Sequence, residues 1–398
     1  MKPLGPRDYG FIGLLAAISL INPLSIHFYL PALPAIQAAF QVTVATAQFT
    51  FSITMFTLAA VTLAIGSLSD GLGRKPVLLG GIVLFVGGSL ICAVAGGIEA
   101  LILGRLLQAA GAASGLVLAR AIARDVYGLE RLTQIIAILT MAYVMGPMIS
   151  PPLGGAVVDG LGWRWIFWLA ASAGALLVVF SALLIPETRS AGARIQGARA
   201  MLGAYRRLFR IPRFSLYVLH TGFVTGAFFA VAASSSFLMT GMLGRPAAEY
   251  GLYFLFFPAG YLLGNLIAAR IGLRVPIDTM VLAGSILNLA GALALAAALW
   301  LAAPTPLGIF LPGFVVTLSQ GLALPSAQSG AIAVDKNLAG TASGVGVFMQ
   351  MFFGAAASQA TGLLADGTAT PMILVVLPLA VAAMAVSLAL GRLSAAGR

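Results

Sequence analysis

Apolar residues in this chain come in long blocks, not in alternation. The blocks fall at 9–36, 45–69, 77–96, 99–121, 133–157 and 163–185, and again at 214–240, 249–270, 278–301, 305–332, 339–363 and 371–391. A helix rises 1.5 Å per residue and a bilayer's hydrocarbon core is about 30 Å thick, so each block is long enough to cross it. The pattern predicts twelve transmembrane helices, running into one another through Gly and Pro. One long polar stretch, 187–213, parts them six and six. The expected domains are therefore an N-terminal six-helix bundle over 1–186, a basic linker over 187–213 and a C-terminal six-helix bundle over 214–398. Halves so nearly equal in length point to two parallel repeats.

Composition agrees. The chain is 60% apolar and 8% charged, against roughly 25% charged in soluble domains. A net charge of +11 would suggest nucleic acid as the partner of a soluble chain. Here the basic residues sit between apolar blocks, where they set topology and bind anionic lipid headgroups, so no nucleic-acid partner is expected. The opening M-K-P-L-G-P-R imitates a signal peptide but is followed by no small-residue cleavage site, which predicts an uncleaved first helix. Cys92, the one cysteine, has no partner for an intrachain disulfide.

With the N-terminus inside, 19 of the 22 basic residues fall in inner segments; Arg164 and Arg245 fall outside and Arg105 within a span. The seven arginines of the linker (189, 194, 199, 206, 207, 210 and 213) are among the 19, and the linker suits an amphipathic helix on the membrane surface. Both termini are expected on the cytoplasmic side.

An ionisable group inside hydrocarbon costs several kcal/mol and is a functional candidate by default. All eleven acids fall at span ends or in loops, which leaves Arg105, His27 and His220. Arg105 stands in span 4 beside a seam of Gly104, Gln108, Gly111 and Gly115. It suits a fixed cation that binds an anion or tunes a neighbour, or an arginine snorkelling to the outer interface. His27 can exchange a proton near neutrality, or be a histidine hydrogen-bonded within the bundle; His220 reads as structural. On an ideal span 1, Asn22, Ser25 and Tyr29 share a face and His27 points away, although Pro23 and Pro31 bend that helix. With Asn22, Tyr29 and Gln108, polar residues of the second half (Ser234 to Ser236, Asn265, Asn288, Gln320, Gln328, Gln350) could face a substrate cavity. No Ser/His/Asp set, H-E-x-x-H motif or paired midplane carboxylates point to an enzyme, metal or cofactor. Transport is thus weighed against a scaffold or receptor.

Two stretches carry most of the pattern. Gly66 to Pro76 reads G-S-L-S-D-G-L-G-R-K-P, a tight turn between two spans that makes them an antiparallel pair. Gly66, Gly71 and Gly73 permit close approach, Asp70 marks where one helix leaves the membrane, and Arg74 and Lys75 anchor the next. Gly146 to Gly155 reads G-P-M-I-S-P-P-L-G-G, in which Pro147, Pro151 and Pro152 kink span 5 while Gly154 and Gly155 allow close packing, as in a hinge or gasket.

Together with Y-L-P-A-L-P at 29–34, R-x-x-Q-x-x-G at 105–111, G-W-R-W-I-F-W at 162–168, I-P-E-T at 185–188 and A-G-T-A-S at 339–343, these stretches resemble the major facilitator superfamily. Within it they look like drug:proton antiporters of the bicyclomycin-resistance (Bcr/CflA) type, over about residues 21–362. The resemblance implies an all-α major-facilitator-type fold with 12 transmembrane helices in two pseudo-symmetric six-helix halves. It further implies a monomer in the bacterial inner membrane that exports a small organic molecule, a drug or a metabolite such as a siderophore, by alternating access driven by proton inflow. A proton-coupled importer or facilitator is the alternative. Carried over by position, Gly66, Asp70, Gly73, Arg74, Lys75 and Arg124 would form the inner gate, with Asp70 meeting Arg124 and the N-terminus of span 11 near Gly340. His27 and Arg105 would couple protons, and Gly146, Pro147, Pro151, Gly154 and Gly155 would form the interhelix hinge. There are two departures. His27 stands where the family has an acid, and Gly71 follows Asp70 where a basic residue is usual. Without a midplane acid, neutral or anionic cargo is expected.

Overall fold

The computed structural model describes residues 6–188, 198–272, 274–301 and 304–396. Among them there is no strand. Helix α1 (Pro6–His27) ends where a 3₁₀ turn (Leu30–Ala32) and α2 (Leu33–Phe40) take over, and the left-handed Gln41 (φ 53°) turns the chain back. Helix α3 (Val44–Leu72) starts on a Thr43 side chain that accepts from the Thr46 N–H at 3.2 Å, and it ends at Gly73. At φ 105° Gly73 occupies a conformation that side-chain-bearing residues rarely adopt, and α4 (Arg74–Ala93) leaves from it.

Helix α5 (Ile98–Leu161) holds spans 4 and 5, broken at Gly128 (φ 65°, ψ 178°). The register against α1 reveals the reversal. Before the break, Arg105 bonds Ser25 and Gly115 abuts Ile18; after it, Gly146 abuts Pro23 and Gly154 abuts Phe28. The first arm therefore runs antiparallel to α1 and the second parallel. Helix α6 (Arg164–Leu184) closes the first set.

Residues 189–197, with Arg189 and Arg194 of the expected linker, lie outside the described residues. Beyond them α7 (Ala198–Phe209) is amphipathic: Leu208 is buried against Phe214 and Val218, while Arg206 and Arg207 face out. Its Arg207 pairs with Asp335 at 2.8 Å.

The second set comprises α8 (Pro212–Phe237, extended by a π-turn, Leu238–Met242), α9 (Ala247–Tyr253) and α10 (Phe256–Ile271), which together make one span, α11 (Ile277–Trp300), α12 (Pro306–Ala333), α13 (Ala339–Leu363) and α14 (Thr370–Ala396). Eleven of the helical stretches among the described residues are long and apolar enough to cross a membrane. The twelfth is α13. It has the length, 25 residues, but its Gly, Ala, Ser and Gln content lowers its hydropathy. It lies along both α3 and α8, so small residues that let backbones approach serve it better than a lipid-facing apolar surface.

Leu, Val, Phe and Trp side chains such as Leu103, Trp165, Leu183 and Leu293 stand exposed around the outside, the arrangement of a bundle solvated by lipid. With an even number of spans, Pro6 and Ala396 lie at one end of the bundle, here named the terminal face; the other end is the far face.

Candidate substrate cavity and its seals

A cavity of about 360 Å³ lies between the two sets of helices, within the range of small-molecule sites. At its deep end stand His27, Phe228, Phe229, Phe254 and Phe257; toward the terminal face its walls reach Arg120, Thr140, Ile332 and Ala342. Asn22, Gln320 and Gln350 line it, as does Pro147. Tyr29, Gln108, Ser235 and Asn265, expected on its wall, lie off it. The physical reason for Tyr29 is the end of α1 at His27: Tyr29 stands in the turn between that helix and the 3₁₀ turn (Leu30–Ala32), which carries it round behind the helix. Ser235 turns back onto the Ala232 carbonyl and Asn265 onto that of Tyr261.

His27 ends α1 with its ring stacked on Phe229 (centroids 6.0 Å apart, planes at 19°) and edge-on to Phe254 at 5.8 Å; its Nδ1 meets no polar protein atom. The ideal-helix expectation that His27 points away from Asn22's cavity does not hold, because Pro23 and the helix end redirect it. His220 is off the cavity, bonded through Nε2 to Ser285 at 2.8 Å.

Arg105 does not snorkel. It is 1% exposed, and its guanidinium donates to the Ser25 carbonyl (3.0 Å), the Thr50 carbonyl (3.4 Å) and Gln108 Oε1 (2.5 Å) while lying 4.0 Å over the Tyr29 ring. Gln108 in turn donates to Ser89, and Tyr29 shares a 2.5 Å hydrogen bond with Thr50. No carboxylate accompanies this cation among the described residues. A buried charge is held here by carbonyl dipoles and an aromatic face, which serve it only in this one geometry. Arg105 therefore sits behind Tyr29, beside the cavity and not on its wall.

The far face is sealed. Gly155 lies against the Ala247 and Ala248 backbone, and Gly251 against Pro151 and Pro152, so the second arm of α5 and α9 touch backbone to backbone. Asp159 accepts from the Ala247 and Ala248 N–H groups at 3.2 and 2.7 Å, capping α9, whose own N-cap is Pro246 and offers no side-chain bond. Gln48 donates to Thr361 at 3.0 Å, Gln359 to the Ala45 carbonyl at 3.2 Å and Ser236 to the Leu30 carbonyl at 2.8 Å. Gln48, Asp159 and Thr361 do not stand out in the sequence. The available signals were a glutamine early in a span, which must find a partner once buried, and a helix opening on Pro with no capping side chain.

At the terminal face the turn differs from expectation. Asp70 pairs with Arg74 (2.7 Å), not with Arg124, and a Cβ on Gly340 would meet nothing within 4 Å. Arg124 turns to Asp125 (3.6 Å), which also takes Arg74 Nε at 3.2 Å and the Thr188 hydroxyl at 3.3 Å. Glu187 accepts from the Arg74 and Lys75 N–H groups at 2.9 and 3.3 Å, and Lys75 Nζ donates to the Ala182 carbonyl at 2.8 Å. Each of these partners lies in the first six spans or directly after α6, so these contacts brace one bundle. Gly66 has only Val117 near its would-be Cβ, at 4.0 Å.

The profile of the Major Facilitator Superfamily matches residues 15–359. The chain belongs to that superfamily. It is a multi-pass membrane transporter, and its relatives agree with the antibiotic-resistance type that the motifs resemble. A chloramphenicol resistance protein of Pseudomonas aeruginosa is 30% identical over 94% of this chain and 89% of the relative. A bicyclomycin resistance protein homolog of Haemophilus influenzae is 24% identical over 91% of each chain. Among solved structures, a bacterial homolog of the human lysosomal transporter Spinster, inward-facing and occupied, superimposes with a TM-score of 0.76 at 15% identity over 98% of both chains. That likeness shows the fold alone.

Proposed function

We propose that this transporter exports a small organic molecule across the bacterial inner membrane by alternating access, driven by proton inflow, with both termini and the terminal face in the cytoplasm. The observation that carries the reading is a cavity whose deep end joins His27 to an aromatic cluster just beneath the far-face seal. Cargo would enter from the terminal face. The names of the relatives bring in export.

His27 is the proposed proton carrier, since no Asp or Glu lines the cavity among the described residues. An apolar cargo body against Phe229 and Phe254 takes the place of the water that an imidazolium needs, so cargo and proton exclude one another. After the bundles rock, His27 faces the outer solvent; a proton binds as cargo leaves, and its later release to the cytoplasm resets the site. Arg105 positions the Ser25–Tyr29 segment throughout. The twelve helices would act as two units, 1–186 and 214–398, joined by the linker, in a monomer.

Inside-out vesicles with an acidic lumen test the reading. Expected are cargo uptake that depends on the pH gradient, cargo-dependent proton release from the lumen, and loss of both in His27→Asn. Uptake indifferent to the gradient, or gradient-driven movement in the import direction only, would overturn it.

A further inference from the structure

Arg120 is an unusual residue for the wall of a cavity. It is exposed there, on the first arm of α5, and makes no ion pair among the described residues. It is the one Lys or Arg among the described residues of the wall, which carry no acid to offset it. Tyr143, on the second arm of α5, and Tyr261, from α10 in the other bundle, line the same cavity. The cation thus stands in the space between the bundles.

Its level follows from the helix register. Gly115 abuts Ile18, and Arg120 lies ~7.5 Å further toward the terminal face at 1.5 Å per residue. Side chains on a helix lean toward its N-terminus, which for this arm is back toward His27, so the guanidinium is carried part of the way back toward the level of Ile18. Asn22 lines the wall four residues deeper, and the phenylalanine cluster lies beyond it.

We infer that the cavity selects amphipathic organic monoanions, with Arg120 holding a carboxylate and the phenylalanine cluster holding an apolar, aromatic body. The inference rests on the transport reading above but does not require proton coupling. Arg120 suits this role because its planar donor fork matches a carboxylate bidentately. A cationic cargo would meet an unopposed positive charge and no carboxylate in the cavity. A neutral cargo would leave the guanidinium's donors without an ionic partner.

Binding of a size-matched probe set to the purified, detergent-solubilised transporter tests this: 4-biphenylacetate, its primary amide, and 2-(4-biphenylyl)ethylamine, each by equilibrium dialysis. The anion is expected to bind at least ~tenfold tighter than the amide, about the worth of one charge-assisted hydrogen-bonded pair, and the amine weakest. Arg120→Gln should weaken the anion ~tenfold and leave the amide unchanged. Arg120→Lys should retain part of the preference, and Arg120→Glu should favour the amine. Arg120 makes no ion pair among the described residues, so an unchanged melting temperature is expected of all three variants. Three probes that bind alike, an Arg120→Gln effect equal on anion and amide, or no binding of the anion would each overturn the inference. Because no gradient is present, these results stand apart from the vesicle experiment: failed coupling leaves them intact, and failed anion binding leaves export of other cargo intact.

Discussion

A single methyl group at Gly155 should open the far face. A Cβ built there falls 2.7 Å from the Ala247 carbonyl carbon and 2.7 Å from Ala248 Cα, and closer still to the Ala247 oxygen, where ordinary contact is 3.4–4 Å. These neighbours are backbone, so no side chain can rotate away. Relief requires α5 and α9 to part by most of an ångström, which also strains the Asp159 cap on α9. Overpacking of this kind costs about 1–3 kcal/mol. The strain exists only while the far face is closed, so it tilts the closed-to-open ratio by roughly 5–150-fold. Gly160, five residues further along α5, has nothing within 4 Å of its would-be Cβ and serves as the control. Spin labels at Gln37 and Thr368, which flank the seam in the first and second sets, report its width in a Cys92→Ser background. Gly155→Ala should move the distance distribution to longer values, and Gly160→Ala should leave it alone. If both variants behave like the parent, or both shift alike, the backbone seam does not hold the far face shut.

Arg105→Lys should behave as a severe substitution. An ammonium cannot serve the Ser25, Thr50 and Gln108 oxygens from one place while stacking on Tyr29, and losing two charge-assisted hydrogen bonds at ~1.5–3 kcal/mol each should lower the melting temperature in detergent; an unaltered melting curve would refute that account of the site. At the terminal face, Asp125→Ala should cost more stability than Asp70→Ala, since Asp125 is 12% exposed and serves Arg74, Arg124 and Thr188, whereas Asp70 is 35% exposed and serves Arg74; an exposed pair is worth at most ~1 kcal/mol, and equal melting temperatures for the two variants would contradict the ranking. With no pH gradient, a membrane potential negative on the cytoplasmic side should drive outward movement of biphenylacetate in exchange for a proton by two charges, at roughly 2.3 kcal/mol per charge per 100 mV, and outward movement of the amide by one, so the anion's flux should depend more steeply on the potential, as read by radiolabel flux in vesicles with valinomycin-set potentials.

The spans were legible in the sequence because hydrocarbon thickness sets a length that apolar blocks must meet. Even α13, rich in Gly, Ala and Ser, stands at the expected 339–363. The Gly/Pro run of span 5 was legible as a close-packing surface because it lacks side chains where backbones must meet. Which residues share the cavity was not legible. Asn22 and His27 point apart on an ideal helix, and only the break after His27 brings both to one wall while carrying Tyr29 to Arg105. The partners of Asp70 were misjudged for a related reason: in sequence Asp125 and Glu187 are merely loop acids, and only the packing of α3, α4, α5 and α6 makes them the hub that Arg74 and Lys75 turn to.

The departure of His27 from the family pattern and the exposure of Arg120 have one electrostatic consequence. A carboxylate in the position of His27 would place a standing negative charge beside the aromatic cluster and repel an anionic cargo at close range. A histidine is titratable yet uncharged when it has given up its proton, so it can take a place in a proton cycle without opposing such a cargo. Arg105 contributes in the same sense. Unpaired by any described acid and screened only by Tyr29 and neighbouring carbonyls, it biases the potential on the cavity side toward positive, as low-dielectric walls with one sign of charge do. A transporter for organic cations needs the opposite field, and nothing on the described wall supplies it. If the cytoplasmic side is negative, the membrane potential itself favours the outward passage of an anion, and a cycle that also brings a proton inward moves both charges in the favoured sense.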